Sequence, residues 1–158
     1  MNHPKIVSSK TIIYQAQIQG KRVVFTNGCF DLFHAGHAHL LQSIKQELTD
    51  DCVLVVGVNG DKSVKKNKGP DRPIISQEQR AFLVACQESV DYVFIFNEKT
   101  VESYLKHFKP WRWYKGGDYS ITTLDPVERL ACGQTEVRFI PFAEDISATK
   151  IIEKIKKI

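Results

Sequence analysis

The sequence predicts an α/β chain: a single doubly wound domain over residues 1–158, with a lead-in segment at 1–20 and a five-stranded, mainly parallel sheet. Three observations predict it. Continuous apolar runs at 23–25, 52–58 and 92–96 read as buried strands. Segments with apolar residues at helical spacing separate them, the alternation that crossover connections produce. The 158 residues suffice for one sizeable core, and no repeat, low-complexity tract or linker divides them.

Each element has its own signal. Ile12, Ile13 and Ala16 lie at helical spacing, and Gly20 supplies a stop. Val23-Val24-Phe25 reads as the first strand, broken at Thr26-Asn27-Gly28. His34-Ala35-Gly36-His37 opens a helix whose Leu40, Leu41, Ile44 and Leu48 share one face. The run 52–58 reads as a central parallel strand. Residues 59–75, rich in lysine, glycine and proline, are expected to form a long functional loop. Ser76 caps a helix with Gln79 in capping-box position, presenting Phe82, Leu83 and Cys86. After the strand at 92–96, Thr100 is expected to cap a helix that turns Val101, Tyr104, Leu105 and Phe108 inward. Pro110 ends it, 111–114 forms a fourth strand, and 115–118 turns. Asp125 followed by Pro126 starts a short helix that Gly133 stops. A fifth strand spans 137–140, and Ser147 caps a last helix carrying Ile151, Ile152, Ile155 and Ile158.

Composition excludes several classes. The 42% hydrophobic and 25% charged residues are ordinary for a globular protein, no apolar run could span a bilayer, and the N-terminus lacks a secretory core. A cytoplasmic protein with no membrane partner is expected. The net charge of +4 suits an anionic small substrate, and equally a lysine-rich surface. Four cysteines include no CxxC pair, which argues against a zinc knuckle; Cys52 and Cys86 are expected to be buried as small hydrophobes. No GxGxxG follows the first strand, and the 57–63 stretch has the wrong glycine-to-lysine spacing for a P-loop.

The sharpest feature is His34 and His37 at the start of a helix that follows a strand and a glycine-bearing loop. A helix start offers unbonded N–H groups and the positive end of the dipole, which suits phosphate. Two histidines three residues apart could also share a metal, but no further ligand stands nearby. Cys29 as a nucleophile explains the loop less well. His39 faces elsewhere and is expected to be exposed. Trp111 and Trp113 around Arg112 fit alternating strand faces better than base stacking.

The stretch FTNGCFDLFHAGH, residues 25–37, closely resembles the opening motif of the HxGH nucleotidyltransferases, the cytidylyltransferase-like superfamily. Lys68-Gly69 with Arg72-Pro73-Ile74, and Lys115-Gly116-Gly117-Asp118-Tyr119, make the chain most similar to the heptose 1-phosphate adenylyltransferase half of ADP-heptose synthases, without a kinase half. The superfamily's closing ISTT motif appears as Ile146-Ser147-Ala148-Thr149, one threonine having become alanine.

The resemblance implies a Rossmann-like nucleotidyltransferase fold. It also implies transfer of AMP from ATP to a heptose 1-phosphate, feeding lipopolysaccharide core assembly. Magnesium arrives with ATP, with no metal ligand assigned to the protein. Matching position implies His34, His37 and Lys68 as catalytic groups. Asn27, Gly28, Cys29, Phe30, Asp118, Ser147 and Thr149 would contact the nucleotide, and Lys65 and Lys115 the substrate. Asp31 would buttress the loop, and Arg80 would either reach the site or form a structural ion pair. A homodimer and a separate heptose kinase of the same pathway are compatible with the resemblance; a nucleic-acid partner is not expected. The alternatives are a cytidylyltransferase acting on glycerol 3-phosphate or a similar alcohol phosphate, and a nucleotide- or RNA-binding protein without turnover.

Overall fold

The computed structural model describes residues 2–117, 119–141 and 146–158. Its centre is a parallel sheet of five strands: β1 (Arg22–Gly28), β2 (Cys52–Asn59), β3 (Tyr92–Phe96), β4 (Arg112–Gly116) and β5 (Glu136–Ile140), in the order β3-β2-β1-β4-β5. Every pairing is parallel, as the uninterrupted apolar runs require; β2 is buried at all eight positions. The chain builds outward from β1 through β2 to β3, then returns to place β4 on the other flank of β1. That reversal opens a crevice at the carboxyl ends of β1 and β4.

Helices cover both faces. One face buries Leu40, Leu41 and Ile44 of α2 (Ala35–Gln46) and Ala81, Val84 and Ala85 of α4 (Gln77–Ala85) against Val24, Leu54, Val56 and Tyr114. The other buries Ile12 and Ala16 of α1 (Ser9–Ile18) and Leu105 and Phe108 of α5 (Glu102–Phe108) against Phe25, Val53, Val55, Phe94 and Trp113. Trp113 is therefore core. The guanidinium groups of Arg22 and Arg112 lie over the Trp111 ring, 3.7 and 4.0 Å from its centroid.

Four expectations need correction. The segment 59–75 is not all loop: α3 (Asp61–Lys68) occupies its first half. No apolar stripe announces this helix; its signals are Asp61 in the first turn and Lys65, Lys66 and Lys68 in the last, each favourable to the dipole. In α4 the inward residues are Arg80, Ala81, Val84 and Ala85, while Leu83 and Cys86 are exposed. Buried Arg80 makes three hydrogen bonds from that inward face. Val101 rather than Thr100 occupies the N-cap position of α5, its N–H donating to Glu128 Oε1 at 3.0 Å. Finally β4 continues through Lys115 and Gly116, so these two belong to a strand end rather than a turn.

Gly116 lets α2 approach the sheet: a Cβ there would lie 2.6 Å from Leu40 Cδ2. The two remaining helices are α6 (Pro126–Ala131), with Asp125 accepting from Val127 N–H as its cap, and α7 (Ala148–Ile155), in which no residue is buried. Among the described residues no helix is long and apolar enough to cross a membrane.

Candidate active site

The crevice is a cavity of about 820 Å³, lined by the loop after β1, the start of α2, the end of α3, the end of β4 and the start of α7. Its floor is the strand-to-helix loop. Phe30, buried, and Leu32 take positive φ values of 52° and 45°, a strained turn that reverses the chain between β1 and α2.

Several buried groups hold that turn. Asp31, 3% exposed, accepts from the backbone N–H groups of Ile74 and Ile75 at 3.0 and 3.1 Å and from Arg72 Nη1 at 3.0 Å. Burial pushes its carboxyl upward, but these donors outweigh burial and keep it below the usual carboxylate range. Arg72 also donates through Nη2 to Thr149 Oγ1 at 3.1 Å, joining the first loop to α7. Arg80, fully buried, donates to the carbonyl oxygens of Cys29 and of Ile75 and to Asp61 Oδ1, the last at 2.7 Å. It is an internal brace that fixes the loop at Cys29 and the start of α3. Asn27 Oδ1 accepts from the Trp113 indole N–H at 3.1 Å.

His34 is the N-cap residue of α2 and His37 lies one turn inside it. Their rings stack with centroids 3.7 Å apart, and the rings of Phe30 and Phe33 stand 5.2 and 5.4 Å from His37. The backbone N–H of His34 donates to His37 Nδ1 at 3.3 Å, so the neutral His37 carries its proton on Nε2. Burial, then the neighbouring His34 and Lys68, push His37 down to about 3, with Asp31 opposing; burial also lowers His34. His37 is therefore neutral at physiological pH. It thus offers a neutral N–H donor at the cavity lining, which Lys68, in the last turn of α3, also reaches.

The cavity gathers His34, His37, Lys68, Asn27, Gly28, Cys29, Phe30, Lys115, Ser147 and Thr149. Lys65 is exposed on α3 and lies outside the cavity lining, so the structure does not bring it to this site. Asp118 lies outside the described residues. Ser147 Oγ accepts from Lys150 N–H at 3.2 Å, the helix-capping bond its sequence position implies. His39 is exposed. Sequence reasoning gave no role to Glu128 or Tyr119, both on the cavity wall. A lone glutamate in a six-residue helix carries no local signal; Tyr119 closed a recognised motif but was given no task of its own. Arg72 stood within a motif, without the partners that give it a task.

The cytidylyltransferase-like family model matches residues 25–154. The chain is similar to the bifunctional protein HldE of Alcanivorax borkumensis, 43% identical over 145 residues, which is 92% of this chain and 30% of that protein. It is 49% identical to HldE of Nitratiruptor over 138 residues, 87% of this chain and 28% of the relative. It is 43% identical to HldE of Helicobacter pylori strain J99 over 155 residues, 98% and 32%. The chain thus spans about three tenths of the length of these relatives. Among solved structures it resembles a lipopolysaccharide core biosynthesis protein from Thermoplasma volcanium, with a TM-score of 0.62, 27% identity, and coverage of 80% of this chain and 100% of that one.

Proposed function

The chain belongs to the cytidylyltransferase-like family, and from that premise we propose that it transfers the adenylyl group of ATP to a heptose 1-phosphate, giving ADP-heptose and pyrophosphate. The reading draws on the similarity to HldE proteins across almost the whole chain. The structural observation that carries it is the stacked His34–His37 pair at the start of α2, at the crevice where strand order reverses.

An oxygen of the sugar phosphate attacks the α-phosphorus in line. The bond from that phosphorus to the oxygen bridging to the β-phosphate breaks, and pyrophosphate leaves with that oxygen. A phosphate monoester has a second pKa of about 6, so the nucleophile is already anionic and needs no general base. The chain's work is to bring polyanions together and to meet charge on the α-phosphate and the departing group. His37 Nε2–H and the His34 ring donate to phosphate oxygens without carrying charge. The first N–H groups of α2 have no intrahelical acceptor and add the helix dipole. Lys68 supplies a mobile cation. The Ser147 and Thr149 hydroxyls accept from the protein and retain their own protons to donate to the outer phosphates. Cys29 and Phe30 line the nucleotide's side.

Among the described residues no three His, Cys, Asp or Glu side chains converge as a metal cage. Magnesium is proposed to enter on the triphosphate, the usual manner of its binding. There it would offset phosphate charge. A heptose kinase is the class of enzyme that would supply the acceptor.

The test is pyrophosphate release by the purified chain, with ATP or CTP crossed against heptose 1-phosphate or glycerol 3-phosphate. The proposal expects release with ATP and heptose 1-phosphate well above the other pairs. Preference for CTP and glycerol 3-phosphate would replace it with the cytidylyltransferase reading.

A further inference from the structure

The same cavity holds a charge that the phosphate chemistry leaves unused. Lys115, next to last in β4, is only 7% exposed, yet it lines the cavity. Among the described residues its Nζ has no hydrogen bond and no ion pair. Its neighbours are aromatic faces, the Tyr119 ring centroid at 4.6 Å and the Trp113 centroid at 5.1 Å. Burial pushes its pKa down, and Glu128 partly restores it. An enclosed ammonium with three unmet donors is costly. Its cost is recovered when a ligand supplies acceptors.

Glu128 provides the complementary half. It is 8% exposed, and Oε1 accepts from Val101 N–H at 3.0 Å. Oε2 has no hydrogen-bond partner among the described residues. It lies on the same cavity wall as Lys115, and Tyr119, 47% exposed, stands beside them. A hydroxyl both donates and accepts, so a cation and a carboxylate facing one space can read it from both sides. A tyrosine face suits the C–H side of a sugar. Glu128 would repel a phosphate.

We propose that this part of the cavity is the sugar subsite, with Lys115 Nζ donating to, and Glu128 Oε2 accepting from, hydroxyls of the acceptor's polyol. The subsite rests on the adenylyl-transfer reading. It divides the cavity: phosphates at the start of α2, the polyhydroxylated carbon chain between Lys115 and Glu128. It makes Lys115 and Glu128 specificity-determining residues that select a sugar phosphate over a short alcohol phosphate.

The experiment uses the full chain with Lys115→Met and, separately, Glu128→Gln, which keeps the acceptor for Val101 N–H. Pyrophosphate release is followed while ATP and heptose 1-phosphate are varied independently, and melting is measured without ligand. Each variant is expected to raise KM for the sugar phosphate by about tenfold or more, the worth of one charged hydrogen bond, with KM for ATP within about twofold of wild type. Lys115→Met is expected to melt at or above the wild-type temperature, since it removes an unpaired enclosed charge. A raised KM for ATP alone would assign this part to the nucleotide and overturn the subsite. A lowered melting temperature with both KM values unchanged would make Lys115 structural and overturn it as well. If the wild-type chain releases pyrophosphate from no sugar phosphate, the adenylyl-transfer reading falls and takes the subsite with it. Wild-type turnover with unchanged sugar KM in both variants defeats the subsite alone.

Discussion

Two segments line the cavity where the phosphates are proposed to bind, and they are built differently. The loop from Cys29 to His37 is tied down by enclosed partners: Asp31 by two backbone N–H groups and Arg72, the Cys29 carbonyl by Arg80, and the His37 ring by the backbone of His34. The closing segment at 146–149 rides on α7, none of whose residues is buried, and Arg72 Nη2 on Thr149 is its side-chain tie to that loop. The first segment is preorganised before any ligand arrives. The second presents hydroxyls from the start of a helix none of whose residues is buried. Donors fixed in place are worth most in a transition state, because no reorganisation is needed when charge develops.

Breaking the first segment should therefore cost far more than breaking the second. The largest effect is expected from His37→Ala. It should lower kcat by about 10²–10³, the loss of one preorganised donor, with circular dichroism and melting used to show that the fold persists. Next is Arg80→Met. It strips the Cys29 and Ile75 carbonyls of their donor and should lower unfolding free energy by about 3 kcal/mol in urea titrations. Activity should fall with it as the loop loosens. On the other segment, Ser147→Ala should cost only about 1 kcal/mol, the worth of a cap, and should raise KM for ATP more than it lowers kcat. If Ser147→Ala matched His37→Ala in kcat, the contrast between the segments would be lost.

The sequence carried the loop and the closing segment because each concentrates its signal locally: glycine breaks, paired histidines, and a serine at a helix start. It carried the strands for the same reason, through short apolar and aromatic runs. It carried the braces only in part: Asp31 as a buttress and an ion pair for Arg80 were expected, but not their partners. Arg80 reads as a polar position on α4, and its three acceptors lie on three segments. Glu128 and Lys115 meet in one cavity from α6 and β4, a relation that no spacing records. Helix α3 was missed because charge at its ends, not an apolar stripe, marks it. Lys65 failed for a related reason: in a loop it could have reached the site, but on α3 it is held outside the cavity.

Acid sharpens the comparison at smaller amplitude. His37 is held at about 3 in the folded chain, below its ordinary 6.5. Between those values the unfolded chain binds the extra proton, so stability falls as pH drops through 6.5 towards 3. The His37→Ala chain should show a shallower loss of melting temperature from pH 6.5 to 4.5 than wild type. Equal slopes would mean that His37 is not the enclosed group described.

The claim beneath all of this is that His37 is a neutral donor with its proton on Nε2, fixed before substrate binds. Nitrogen-15 NMR of the histidine-labelled chain tests it directly, with His37 assigned by comparison with the alanine variant. The account predicts an unprotonated Nδ1 and a protonated Nε2 for His37, unchanged from pH 8 to 5. A His37 signal that titrates with a midpoint near 6.5, or that carries its proton on Nδ1, would contradict it.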